Sequence, residues 1–256
     1  MIWGILISHA VKFMLAGVRM SAFIIGLPII GGKVVPVQFK GGLAVLLTAV
    51  VYPFVEFSGS PSSFLELGLV IISEILLGLL LCLLCTVIFD VFRSAGDYIG
   101  TEIGFRMINI IDPYNDSQFS LMDAFLYFFA VLVFFTINGH HLMIDSVVSS
   151  FKMIPIGGLV LRPAFGINMI AVFSWMFYFA VLMALPIVAS GLIVHVALGV
   201  VAKTAPRIQV FLISFPLKIG MGLGMMILIF PGLTMLISVV YAKVYEEMIA
   251  ALRMLS

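Results

Sequence analysis

From Met169 to Ala202 the chain runs for 34 residues without an aspartate, glutamate, lysine or arginine. As a helix rising 1.5 Å per residue, that stretch would be about 50 Å long, against a bilayer hydrocarbon core of about 30 Å. No soluble domain keeps so long an apolar run, and a simple spanning helix needs less of it. Pro186 and Gly191 are therefore the expected places for the run to bend or turn back.

The rest of the chain is of the same kind. Of its 256 residues 63% are hydrophobic and only 10% charged, where an ordinary soluble domain carries about 25% charged residues. With a mean hydropathy of +1.29, this is a membrane-class composition. A near-zero net charge of +1 argues against a nucleic-acid partner. The opening "MIWGILISHAVKF" has no basic leader, and Lys12 breaks its apolar stretch early, so it does not read as a signal peptide.

The other apolar segments have uneven lengths. Ile2 to Ile30 is punctured by His9, Lys12 and Arg19; Gly41 to Val55 and Ala124 to Ile137 are short for a crossing. Leu67 to Phe89 is long enough and carries one charge, Glu74; Ile219 to Ala242 follows Lys218 and leads into a charged helical tail. Turn-rich connectors are expected at Pro28 to Gly42, Phe57 to Ser63, Asn109 to Ser120 and Pro155 to Gly166. The fold class that follows is all-α: a polytopic membrane-class protein of bent helices and helical hairpins. Lys and Arg are scattered over most loops, so orientation cannot be read from them.

Polar residues inside apolar segments carry the functional information. Glu74 at mid-helix would cost about 2.5–3.5 kcal/mol in lipid, so it needs a partner or a wet cavity. A structural ion pair, with Lys218 as a reasonable cation, is the plain reading, and a proton or ion relay is the alternative. His195, alone in "LIVHVALG", is expected to be hydrogen-bonded rather than catalytic. Gly96, Gly100 and Gly104 form one small-residue face at helical spacing, and Gly220 and Gly224 another, as at close helix–helix contacts. Asp97, Tyr98 and Glu102 make the other side of the first segment polar, which suits protein neighbours or a wet lumen.

Three features invite catalytic readings and do not sustain them. Cys82 and Cys85 form a CxxC, but inside "LLGLLLCLLCTVIF", where thiolates are disfavoured and packing is the expected role. "NGHH" (Asn138 to His141) follows an apolar run, so Asn138-Gly139 is expected to cap a helix C-terminus with glycine at positive φ. Adjacent histidines on a helix point to different sides and make a poor metal pair. No nucleophile–base pair, P-loop, GxGxxG or HExxH occurs, so neither an enzyme nor a cofactor or metal site is expected.

Nine short stretches, in order along nearly the whole chain, resemble the FliR/SctT family of bacterial export-apparatus components. They are Arg19 with "PIIGGKVVPVQFKGGL", Glu74 with Gly78, "AGDYIGTEIG", Asp112-Pro113, "NGHH", "SFKMIPIG", "ALP" at Ala184 to Pro186, "KTAPRIQVF" and "SFPLKIGMG". Arg207 departs from the glutamine usual there, and "NGHH" with "PIG" looks more like the flagellar than the injectisome branch. The resemblance implies a FliP-like part, residues 1–170, joined to a FliQ-like hairpin, residues 171–256. It implies one copy in a helical assembly with FliP-like and FliQ-like subunits and an FlhB-like subunit, in the bacterial inner membrane at the flagellar basal body. There unfolded substrates would pass, driven by a separate ATPase and the proton motive force. It also implies that a loop plugs the closed channel. The matching stretch is Phe105 to Phe119, with Phe105, Met107, Ile110 and Ile111 beside the Asp112-Pro113 turn. The alternatives are an injectisome subunit and, from another class, a secondary transporter using Glu74 and His195.

Overall fold

The computed structural model describes residues 2–29, 35–56, 63–105, 120–207 and 209–255. Every regular element among them is helical: α1 (Ile2–Gly26), α2 (Val37–Val51) with a short 3-10 turn (Tyr52–Phe54), α3 (Phe64–Ile103), α4 (Leu121–Thr136), α5 (Gly139–Met153), α6 (Pro163–Thr204) and α7 (Val210–Leu255). Five of these are long and apolar enough to cross a membrane, or six if α4 and α5, bent by 74°, form one broken span.

The helices differ from the expected segments in instructive ways. The connector drawn from Pro28 to Gly42 ends early: Pro36 stands at the extended N-cap of α2 (φ −58°, ψ 145°), and the two glycines of "KGG" lie inside the helix. Glu74 and the "AGDYIGTEIG" glycines share one 40-residue helix, α3. The long apolar run does not turn back. It is a single 42-residue helix, α6, that continues through Pro186 and Gly191, and α7 likewise contains Pro216 and Pro231. A proline removes one backbone hydrogen bond, a loss that membrane helices tolerate where neighbours satisfy the freed carbonyl.

The corner between α4 and α5 is built by Asn138 rather than Gly139. Asn138 takes the left-handed conformation (φ 58°, ψ 32°) and is the N-cap of α5, and Gly139 is that helix's first residue. Asparagine reaches this region more readily than other side chains do. The His140 and His141 rings lie 4.2 Å apart, centroid to centroid, instead of diverging.

The chain packs as two compact units that interleave along the sequence. Residues 1–87, 138–172 and 241–256 form one, and residues 88–137 and 173–240 the other. In the first, α1 buries a helical stripe, Leu15, Ala16, Arg19, Met20, Phe23 and Ile24, at spacings that line one face. Gly78 and Gly26 let α1 and α3 close on each other: a Cβ on Gly78 would meet the Arg19 carbonyl, and one on Gly26 would lie 2.5 Å from Cys82 Sγ. The last turns of α7 complete this unit, with Tyr245 donating to Asp145 (2.9 Å) and Asn168 Nδ2 donating to Glu247 (3.1 Å). The second unit is centred on buried Phe89, Phe92, Ile99, Leu126 and Phe134. Phe89 meets Phe134 edge to face at 5.5 Å.

Candidate functional site

Arg19 is the partner of Glu74, and both side chains are fully buried. Arg19 Nε donates to Glu74 Oε2 at 2.6 Å, Nη1 to Ser150 Oγ at 3.2 Å, and Nη2 to the Ile154 carbonyl at 3.1 Å. The backbone N–H of Gly157 donates to Glu74 Oε1 at 2.9 Å, and Gly157 has the positive φ (78°) that favours glycine. Phe151 presents its ring 4.1 Å from the guanidinium carbon. The node thus joins α1, α3, α5 and the "PIGG" turn. A buried ion pair is tolerable only when its remaining polar atoms are also satisfied, and this one meets that condition on both carboxylate oxygens.

Lys218 is therefore not the counterpart of Glu74. It lies on α7, only partly buried. The missed signal was position: Arg19 falls on the same helical stripe as Leu15 and Phe23, so it had to point inward.

The glycine face of α3 divides by function. A Cβ on Gly96 would lie 2.5 Å from Asp123 Cα, and one on Gly100 would fall on Ser120 Oγ. These two glycines receive the start of α4, whose N-cap Ser120 accepts from Met122 N at 3.3 Å. Gly104 does something else. Its φ is +94°, and Phe105 N–H returns to the Gly100 carbonyl at 2.9 Å, the pattern that ends a helix in a Schellman cap.

Among the described residues, no atom lies within 4 Å of where a Cβ on Gly220 or Gly224 would stand. Close approaches occur instead at Gly222 of α7, which meets Ile103, and at Gly191 of α6, which meets the Glu102 carboxylate. His195 Nδ1 stands 3.3 Å from Glu102 Oε1, giving the lone histidine a carboxylate neighbour. Arg93 Nε stands 3.5 Å from Asp123 Oδ1, with its guanidinium over the Tyr127 ring.

Of the expected plug residues, Phe105 is partly buried just past the end of α3; Met107, Ile110, Ile111, Asp112 and Pro113 lie outside the described residues. Cys82 and Cys85 are buried free thiols, with Cys85 Sγ 3.7 Å from Met248 Sδ. Among the described residues no three His, Cys, Asp or Glu side chains are disposed to hold a metal ion.

Comparison with known proteins gives these features a setting. The family described as "Bacterial export proteins, family 1" matches residues 10–244. The chain is similar to the flagellar biosynthetic protein FliR of Bacillus subtilis (strain 168), with 32% identity over 241 residues and 92% of each chain covered. The flagellar biosynthetic protein FliR of Escherichia coli (strain K12) is 30% identical over 214 residues, covering 83% of this chain and 82% of that one. The protein of the same description from Pectobacterium carotovorum subsp. carotovorum is 26% identical over 251 residues, 98% of this chain and 96% of its own.

Proposed function

This chain belongs to the bacterial export proteins, family 1, and from that premise we propose that it is a structural and gating subunit of the flagellar type III protein export channel. The observation that carries the reading is the likeness, over about nine-tenths of its length, to proteins named flagellar biosynthetic protein FliR. In this reading the chain sits in the bacterial inner membrane at the flagellar basal body, as a FliP-like part (residues 1–170) joined to a FliQ-like part (residues 171–256). It assembles with FliP-like and FliQ-like subunits and an FlhB-like subunit, and unfolded flagellar proteins pass through the assembly. It contributes shape and seal rather than catalysis.

The node at Arg19 and Glu74 supports this reading over a secondary transporter. A carboxylate that binds ions in turn needs a free oxygen and a path to water, and Glu74 has both oxygens engaged and no exposure. The segment from Phe105 to Phe119 is the proposed plug: its Met107, Ile110 and Ile111 are flexible or branched apolar side chains suited to sealing a passage that must later yield.

Two measurements test the proposal. Co-expression with the FliP-like and FliQ-like proteins of the same organism should give one detergent-stable complex by native mass spectrometry. Deleting Met107 to Ile111 should leave that complex assembled but conductive to small ions in planar bilayers. A deletion complex that stays electrically tight excludes the plug.

A further inference from the structure

Within the second compact unit, the end of α3 and the middle of α6 border an open cleft of about 460 Å³. Asp97, Tyr98, Thr101 and Glu102 form its polar wall; Val181, Leu185 and their α6 neighbours form its apolar one. A second hollow of about 380 Å³ shares Val181 and Leu185 with the first and reaches back to Ser174. Together they follow α6 from Ser174 to Val188, about 21 Å at 1.5 Å per residue, enough to seat roughly four turns of another helix.

Glu102 marks the polar end of this track. Its side chain is only 16% exposed, and Oε1 is fully shielded from solvent and makes no hydrogen bond. That oxygen rests on the bare backbone of Gly191, where any side chain would collide with it. His195 comes within 3.3 Å but without hydrogen-bonding geometry, and it is 42% exposed. Among the described residues, the charged or titratable groups on these walls are Glu102, Asp97, Tyr98 and His195, and none of these is a fixed cation. A shielded carboxylate oxygen without a donor is costly in any surroundings and more so beside lipid. The cleft is the route by which a donor can reach it.

We propose that this track is the seat of an apolar helix from a neighbouring subunit, and that a lysine or arginine on that helix enters the cleft to pair with Glu102. The inference rests on the export-assembly reading and adds the chemistry of one contact within it. Apolar contact along Val181 and Leu185, which are 48% and 52% exposed, supplies area, and the carboxylate supplies register.

The full chain is co-expressed with the FliP-like and FliQ-like subunits, and complex yield and the melting temperature of the chain alone in detergent are both measured. E102Q should lower complex yield at least about tenfold, the loss expected when one partner of a buried ion pair is removed. In the isolated chain the same change should raise the melting temperature by about 2–4 °C, because it neutralises a carboxylate whose shielded oxygen has no hydrogen-bond donor. Val181→Trp should block assembly without lowering the isolated chain's melting temperature, since the side chain is exposed. E102K should abolish assembly, and reversal of one lysine or arginine in an apolar helix of a partner to glutamate should restore it. Unchanged yield for E102Q and V181W, or E102K with no restoring partner, overturns the proposal. If the wild-type chain fails to assemble at all, the export-assembly reading falls instead. The isolated-chain measurement then still decides about Glu102: a lowered melting temperature for E102Q would make the carboxylate a purely internal support.

Discussion

Glu74 and Glu102 sit on the same helix and each has a carboxylate oxygen shielded from water, yet their surroundings differ in kind. Around Glu74 three other segments converge, and each brings a donor or shapes one: Arg19 from α1, the Ser150 and Ile154 acceptors that hold Arg19, and the Gly157 N–H. Around Glu102 the neighbours bring a glycine backbone, an aliphatic wall and a half-exposed histidine. Burial alone does not say what a carboxylate does in a membrane-class chain; the number of fixed donors does. Where they are complete, the group clamps its own fold. Where they are missing, the same group is available to something else.

The comparison breaks first at Arg19. R19M should cost about 3–5 kcal/mol, because it strands the Glu74 carboxylate in the interior, and R19M/E74M should recover most of that loss. Thermal unfolding in detergent, followed by circular dichroism, reads both, and an R19M chain as stable as the wild type would end the clamp account. Next comes E74Q, which preserves shape and an acceptor for Gly157 but leaves the guanidinium unneutralised. It should destabilise the isolated chain by about 1.5–3 kcal/mol, opposite in sign to E102Q.

Gly100→Leu probes how the lower half of α3 is held, by fit rather than by charge. It should cost about 1–3 kcal/mol by forcing Ser120 away from its cap, visible as earlier unfolding of the isolated chain. The smallest effect, about 1 kcal/mol, is expected for Gly191→Ala, which pushes against the Glu102 carboxylate. The same substitution made in an E102A background should be nearly neutral, and a double-mutant cycle with no coupling would separate the two residues.

Much of the clamp was visible in the sequence, in pieces. The charge cost of Glu74 demanded a partner, and Arg19 was present in a helix whose apolar residues recur at three- and four-residue spacing. What one chain's periodicity cannot supply is which helices meet, and so Lys218, the more conspicuous cation in a glycine-rich segment, drew attention. The glycines illustrate the same limit. Gly96 and Gly100 share four-residue spacing and meet the start of α4, whereas Gly220 and Gly224 have the same spacing and, among the described residues, nothing within 4 Å of where a Cβ would stand. Gly104 continues the spacing yet ends the helix, because a positive φ is set by hydrogen bonding at the helix end and leaves no mark on spacing. At the α4–α5 corner the asparagine, not the glycine after it, takes the left-handed conformation. Sequence leaves a bend or a turn back open at Pro186, and the structure excludes the turn back, because one lost hydrogen bond is small against forty residues of continued helix.

The two cysteines have a practical consequence. They are the chain's only thiols, they are 3% and 0% exposed, and Cys82 is covered by Gly26 of α1 while Cys85 lies against Met248 of α7. A membrane-permeant maleimide can reach them only when that unit opens, so the rate of alkylation is a clock for opening events. The native chain thus carries its own kinetic probe. Comparing the two labelling rates would tell whether α1 or the end of α7 lifts away first while the protein works.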